Sequence, residues 1–467
     1  MTTNELPADA LSTLESTFRG QIVVPGDESY HDERRVWNGM INKYPAAITR
    51  CDDVADVLAV VNVASDHDLP LSVRGGGHGV AGNALVDGGL VVDLSEMDDV
   101  RVDPEGRTAR VGGGATWGDV DRQTQQFGLA APGGVVSETG VAGLTLGGGM
   151  GHLRRKYGLS CDNLVSADVV TADGRLVVAS EDRNEDLYWA LRGGGGNFGV
   201  VTSFEFDLHP VGPEIESLFV WYHGDEARAV FEQFREWGPD APRDVSVLPF
   251  YAWVPEIEEF PEEHWGEPAV AILGCYAGDS SAVESAEGEP FGPLKTIADP
   301  IADLSSPMPY VELQQMLDVD YPDGRNYYWK SVYVDELTDE LIDRILDHAA
   351  GCPSKLSTID VWQGGGAITD LSQEDAAFPY RDASFGLNYE ANWDDPRMTA
   401  EIVEWVRESV EDVRKLDVVR GQYVNFAGLG EDAASVAYGD SYSRLAQVKE
   451  RYDPENVFRG HQNVRPE

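Results

Sequence analysis

Residues 70–79 read Pro70-Leu71-Ser72-Val73-Arg74-Gly75-Gly76-Gly77-His78-Gly79. A short buried strand runs here into a glycine turn that carries one imidazole. Glycine takes up positive φ freely and lets backbone amides approach an anion closely, so such a turn suits a phosphate. His78 sits at the strand end beside three glycines, exposed to a ligand and not clamped by side-chain packing. The residues alone also allow a loop histidine bonded to backbone.

Upstream, AAIT (46–49) is a short strand, and Asp52 or Asp53 can cap the helix that follows. Helical spacing puts Val54, Val57, Leu58, Val61 and Ala64 on one face. Residues 46–80 therefore predict strand, helix, strand, glycine loop. Downstream, GLVVDLSEM, TARVGGGAT, LVSADVVTADGRLVVAS and GVVTSFEFDL predict mostly strands to about residue 210. The Asp173-Gly174 dipeptide between β-branched runs predicts a hairpin. Two further glycine clusters lie in this part, Gly140 to Gly151 and Gly193 to Gly199. Three clusters on one β-rich scaffold point to a long diphosphate ligand rather than a lone phosphate. Gly194, Gly196 and Gly199 match GxGxxG, but a helix precedes them and a strand follows, the reverse of a dinucleotide fingerprint.

From about 215 the texture changes. Helical segments (EARAVFEQFREWG, LTDELIDRILDHAA, MTAEIVEWVRESVEDVRKL) alternate with aromatic strands (SLFVWYHG, PAVAILGCYAG, NYYWKSVYV, ASFGLNYEANW). That pattern predicts helices on one face of an antiparallel sheet. After about 415 short motifs return, ending in LAQVKERYDPENVFRGHQNVRP. At 467 residues the chain exceeds a single core, and the middle region reads as an insertion between two parts of the first domain.

The net charge is −47, from 82 acidic and 35 basic residues. Nonspecific nucleic-acid binding needs cations to release phosphate counterions, so it is excluded as a function. The charge is spread through ordered segments rather than gathered in a tail. Self-repulsion on this scale destabilises a fold at low ionic strength and fades when salt shortens the Debye length. The composition therefore predicts a halophile's protein. No apolar run reaches membrane-spanning length, and MTTNELPADALSTLESTF lacks the basic and then apolar order of a secretory signal. A cytoplasmic location follows as an expectation. Cys51, Cys161, Cys275 and Cys352 are scattered without a CxxC pair, which predicts reduced thiols, no disulfide framework and no metal site.

Together these pieces resemble the FAD-linked oxidases of the vanillyl-alcohol oxidase superfamily (PCMH-type), and within it the berberine-bridge-enzyme-like branch. The resemblance is carried by PLSVRGGGHGVAG, GGVVSETGVAGLTLGGGMGHLRRKYGL, ADVVTADG, DLYWALRGGGGNFGVVTSFEF and the terminal YDPENVF, in that order. It implies an α+β fold: a two-part FAD-binding domain (1–210, core about 41–211, with 415–467 returning to it) and an inserted substrate domain (211–414) of antiparallel sheet backed by helices. In the family the histidine of R-x-G-G-H is bonded to the flavin 8α carbon, and that position here is His78. The residues expected to hold FAD are Arg74, Gly75, Gly76, Gly77, His78, Gly79, Ser137, Thr139, Gly140, Gly143, Gly147, Gly199, Val201 and Asn425. A second, cysteinyl link occurs in many members, but its position holds Val136, so a single covalent bond is implied, as in bacterial members related to 6-hydroxynicotine oxidase.

The resemblance further implies oxidation of a small alcohol, sugar or amine by hydride transfer to flavin N5. Oxygen is the expected acceptor, through a gate position held by Thr139. The expected catalytic residues are Tyr423, as base, and Asn388, with Gly386 where many plant members carry lysine. Arg381 matches an arginine of structural role. A dehydrogenase that avoids oxygen, and a flavin-binding protein without turnover, are the other readings.

Overall fold

The computed structural model describes residues 6–278, 290–429, 434–460 and 462–467. The stretch around the glycine turn folds as its pattern predicts: strand Ala47–Arg50, helix Val54–Asp66, strand Leu71–Arg74. Asp53 caps the helix, its carboxylate accepting from the Ala55 and Asp56 amides. The buried stripe includes Val57, Val60, Val61 and Ala64, while Val54 and Leu58 are only half-buried. Strand Leu90–Asp93 pairs in parallel with both flanking strands, and Gln21–Val23 completes a four-stranded sheet.

A second, antiparallel sheet takes the order Val100–Asp103, Thr108–Gly112, Val200–Asp207, Leu164–Val170, Leu176–Ser180. The expected hairpin is there, with Val170 opposite Leu176 and Gly174 at φ +68°.

Among the described residues the large sheet has nine strands, all antiparallel to their neighbours. At its centre lie Val245–Trp253, Thr358–Gln363, Phe385–Trp393 and Asn326–Val334. Helices Ala227–Trp237, Asp339–Ala350 and Thr399–Val413 cover one face, burying Phe231, Ile345 and Val406 against Val361, Leu387 and Val332. The helix-backed antiparallel sheet of an α+β fold is therefore observed. Its edge strand Val419–Arg420 lies past residue 414, so the segment expected to return to the first unit also finishes this sheet.

The opposite face of the sheet turns toward the glycine loops. Side chains alternate along a strand. Leu387, Tyr389 and Ala391 join the helix-side core, so Asn388 and Glu390 point the other way. By the same parity Ile359 and Val361 face the helices, and Asp360 and Trp362 face the loops.

Candidate functional site

Between the glycine loops and this sheet face lies a cavity of about 320 Å³, within the range of small-molecule sites. Its first wall is backbone: Gly75 to Gly79, Gly140, Gly143, Gly147, Gly195, Gly196 and Gly199, with Thr139 and Val201. Two kinds of glycine occur here. A Cβ on Gly76 would sit 2.6 Å from the Gly140 Cα, so these two turns touch through backbone. A Cβ on Gly79, Gly143 or Gly196 would meet no atom within 4 Å, so those glycines keep the cavity open.

His78 lines the same wall. Its ring stacks on Trp37 at 4.0 Å, and Trp37 stacks in turn on Tyr327 of the large sheet at 3.7 Å. Nε2 of His78 is enclosed with no hydrogen-bond partner among the described residues. Burial pushes the imidazole down to about 4, which keeps it neutral with a free nitrogen lone pair at neutral pH. The Trp37 clamp was illegible in the sequence, because it is made by residues 41 and 290 positions from His78 and Trp37 respectively only after folding.

The C-terminal segment closes the wall. The fully buried Lys449 ammonium donates to the Asn197 carbonyl, the Phe458 carbonyl and the Asp453 carboxylate. Asp453 also accepts from the Val457 and Phe458 amides, which fixes the YDPENVF turn and places Phe458 at the cavity.

The sheet wall is aromatic and acidic. Tyr321, Trp329, Trp362 and Phe426 surround two carboxyls, Asp360 and Glu390. Tyr321 Oη donates to Glu390 Oε2 at 2.6 Å, and Asn388 Nδ2 donates to Oε1 at 2.6 Å. The two carboxyls act on each other's protonation. Burial raises Asp360 to about 6, and burial together with the Asp360 charge raises Glu390 well above the usual carboxylate range. Two such groups share a proton and titrate as a unit. Neither was singled out from the sequence. The available signal was one charged residue on the loop-facing side of each strand, Asp360 in TIDVWQ and Glu390 in NYEANW.

The expected site residues divide on placement. Gly75, Gly76, Gly77, His78, Gly79, Thr139, Gly140, Gly143, Gly147, Gly199, Val201 and Asn425 all line the cavity. Arg74, Ser137, Asn388 and Tyr423 are not among its lining residues. Arg74 pairs with the buried Asp93 carboxylate and donates to the Glu33 carbonyl, tying strands together. Ser137 is bound through Oγ and its amide to Asp318. Asn388 orients Glu390. Tyr423 lies behind Met150 and Asn425, its phenol oxygen accepting from the Gly149 and Met150 amides and from Asn425 Nδ2 at 3.0, 3.2 and 2.9 Å. Burial pushes this phenol up to about 12. Arg381 forms a buried pair with Asp162.

Residues 45–180 match the FAD binding domain family, and residues 422–465 match the family described as berberine and berberine like. An FAD-linked oxidoreductase of Dictyostelium discoideum is 30% identical over 458 residues, 96% of this chain and 95% of that one. The crystal structure of 6-hydroxy-D-nicotine oxidase from Arthrobacter nicotinovorans superposes with a TM-score of 0.84 at 28% identity, covering 96% of this chain and 98% of that one. Physcomitrella patens BBE-like 1 shares the fold, with a TM-score of 0.87 at 24% identity over 98% of this chain and 99% of that one.

Proposed function

The chain belongs to the berberine-bridge-like FAD-linked oxidoreductases, and on that premise we propose that it is an oxidase of a small alcohol, sugar or amine with FAD bonded to His78. The observation that carries this reading is one cavity with two walls, a glycine wall holding a neutral histidine and a sheet wall holding a proton-sharing carboxyl pair. The residues fit the cofactor: Gly79, Gly143 and Gly196 leave open space along the wall, and the orphaned Nε2 of His78 offers a nitrogen for the 8α bond. Gly75 to Gly79, Gly140, Gly143, Gly147, Gly199, Val201 and Asn425 would hold it. When bound, FAD would supply a two-electron acceptor for the substrate C–H, with oxygen as the proposed final acceptor and hydrogen peroxide as its product.

The protein's own task is to orient the substrate and take its proton. Asp360 and Glu390 serve as that acceptor. Above about pH 6 the pair holds one proton and one negative charge, so it can accept a proton from a substrate O–H or N–H. Tyr321 and Asn388 fix Glu390 by their hydrogen bonds. Trp329, Trp362 and Phe426 give flat walls against which a ring or chain can lie. Tyr423, expected from the sequence as the base, is assigned instead to holding Asn425, because its oxygen already accepts three hydrogen bonds away from the cavity surface.

The test is anaerobic mixing of the flavin-loaded protein, in high salt, with panels of amines, alcohols and sugars. Bleaching of the flavin by one panel, then rapid recolouring with peroxide formation on admitting air, is the expected result. Absence of bleaching by any panel would leave only flavin binding. Bleaching followed by slow recolouring in air would make the protein a dehydrogenase.

A further inference from the structure

Away from the cavity, the end of strand Glu214–His223 meets the loop that leads into strand Pro268–Tyr276. Three side chains converge there: His223, His264 and Glu267, with one ligand atom of each lying within 4.8 Å of the others. The local structure explains the convergence. His223 is paired with Ala269 across the ladder, which places it diagonal to Glu267 two residues earlier. His264 ends the short turn Glu262–His264, and the Glu267 amide donates back to the His264 carbonyl at 3.0 Å. Gly266, at φ +69°, makes that return possible. His264 Nδ1 stands 2.9 Å from Glu267 Oε2, and the two imidazoles meet edge to face at 4.8 Å.

We propose that His223, His264 and Glu267 form a Zn²⁺ site that pins the 254–267 loop to the large sheet. Tetrahedral zinc with bonds of ~2 Å spaces its ligands by about 3.3 Å, so a small rotation of the half-buried histidines and the exposed Glu267 closes the set. Two imidazoles with one carboxylate suit zinc, whereas calcium and magnesium take oxygen ligands alone. The surroundings favour a cation: PEIEEFPEEHWGE (255–267) carries six glutamates and no lysine or arginine. The nearby Lys355 ammonium is engaged by the Gly266 carbonyl at 2.8 Å. The loop is already seated by Phe260, packed edge to face on Trp221 at 5.1 Å, so binding need not order a free chain. Three protein ligands leave the fourth position to water. The sequence predicted no metal because its reading followed cysteine spacing, and this set joins residues some 40 positions apart through the sheet register.

None of the three residues lines the FAD cavity, so the site is separable from the oxidase reading. The test uses the flavin-loaded protein after chelator treatment, titrated calorimetrically with Zn²⁺ alone in high KCl, with Co²⁺ absorption reporting geometry. One equivalent of Zn²⁺ and the intense visible bands of tetrahedral Co²⁺ are expected. His264→Ala and Glu267→Gln should each weaken Zn²⁺ binding at least about tenfold while leaving the flavin spectrum and substrate-driven bleaching unchanged. Binding below one equivalent, or binding equally strong in both variants, would overturn the site.

Discussion

At the scale of single residues, the proposed proton acceptor is the carboxyl pair. Asp360→Asn or Glu390→Gln should slow anaerobic flavin reduction about 10²–10⁴-fold, the usual contribution of a positioned base. Tyr423→Phe should slow it far less, and a loss as large as that of Asp360→Asn would return the base to Tyr423. The pH dependence follows from the raised Asp360 carboxyl. The ionised pair accepts the proton, so the rate should climb through about pH 6 and level off above, and the acid limb should move in Asp360→Asn, where Glu390 titrates without the Asp360 charge. The sign for stability is the reverse. A carboxyl raised by folding favours the fold below its unfolded pKa, and that contribution is lost as pH rises through about 6. Legibility at this scale was uneven. His78 could be read because its glycine neighbours mark it locally. Asp360 and Glu390 could not, since two acids among 82 become a pair only when strands Thr358–Gln363 and Phe385–Trp393 lie side by side.

At the scale of elements, glycine geometry gives a contrast that substitution can measure. A Cβ at Gly76 would collide with the Gly140 backbone at 2.6 Å, so Gly76→Ala should lower the thermal midpoint and flavin content together. A Cβ at Gly196 meets nothing, so Gly196→Ala should keep the fold of the flavin-free chain and lose only flavin retention. Equal thermal midpoints for the two variants would show that the Gly76 contact carries no structural load. In the helix layer, Ile345→Ala removes a fully buried side chain facing the large sheet and should cost about 2–5 kcal/mol, read as a lower unfolding midpoint. The elements themselves were the most legible part. Helical periodicity and aromatic, apolar runs marked the helices Ala227–Trp237, Asp339–Ala350 and Thr399–Val413 and four long strands of the large sheet, Glu214–His223, Pro268–Tyr276, Asn326–Val334 and Phe385–Trp393. Strand Val245–Trp253 escaped because Pro249 interrupts its apolar run, and Thr358–Gln363 because six residues with Asp360 in their midst carry a weak strand signal. The closing edge strand Val419–Arg420 escaped because two residues carry no period at all.

At the scale of the whole molecule, the charge of −47 sets the conditions under which the rest operates. Raising KCl from about 0.1 M to several molar shortens the Debye length from about 10 Å to below about 3 Å. The unfolding midpoint should rise steeply over that range, and a flat response would show that the acidic surface imposes no repulsive load. The binding of the cofactor depends on the same molecule-wide assembly, because the His78 loop, the Trp37 stack on Tyr327 and the C-terminal turn around Lys449 come from distant parts of the chain. The most direct measurement is mass spectrometry of the denatured protein purified with its flavin. A chain that keeps the added mass of FAD, located on the peptide containing His78 and absent from His78→Ala, is the predicted result. A chain of unmodified mass whose yellow colour stays in the supernatant would contradict it.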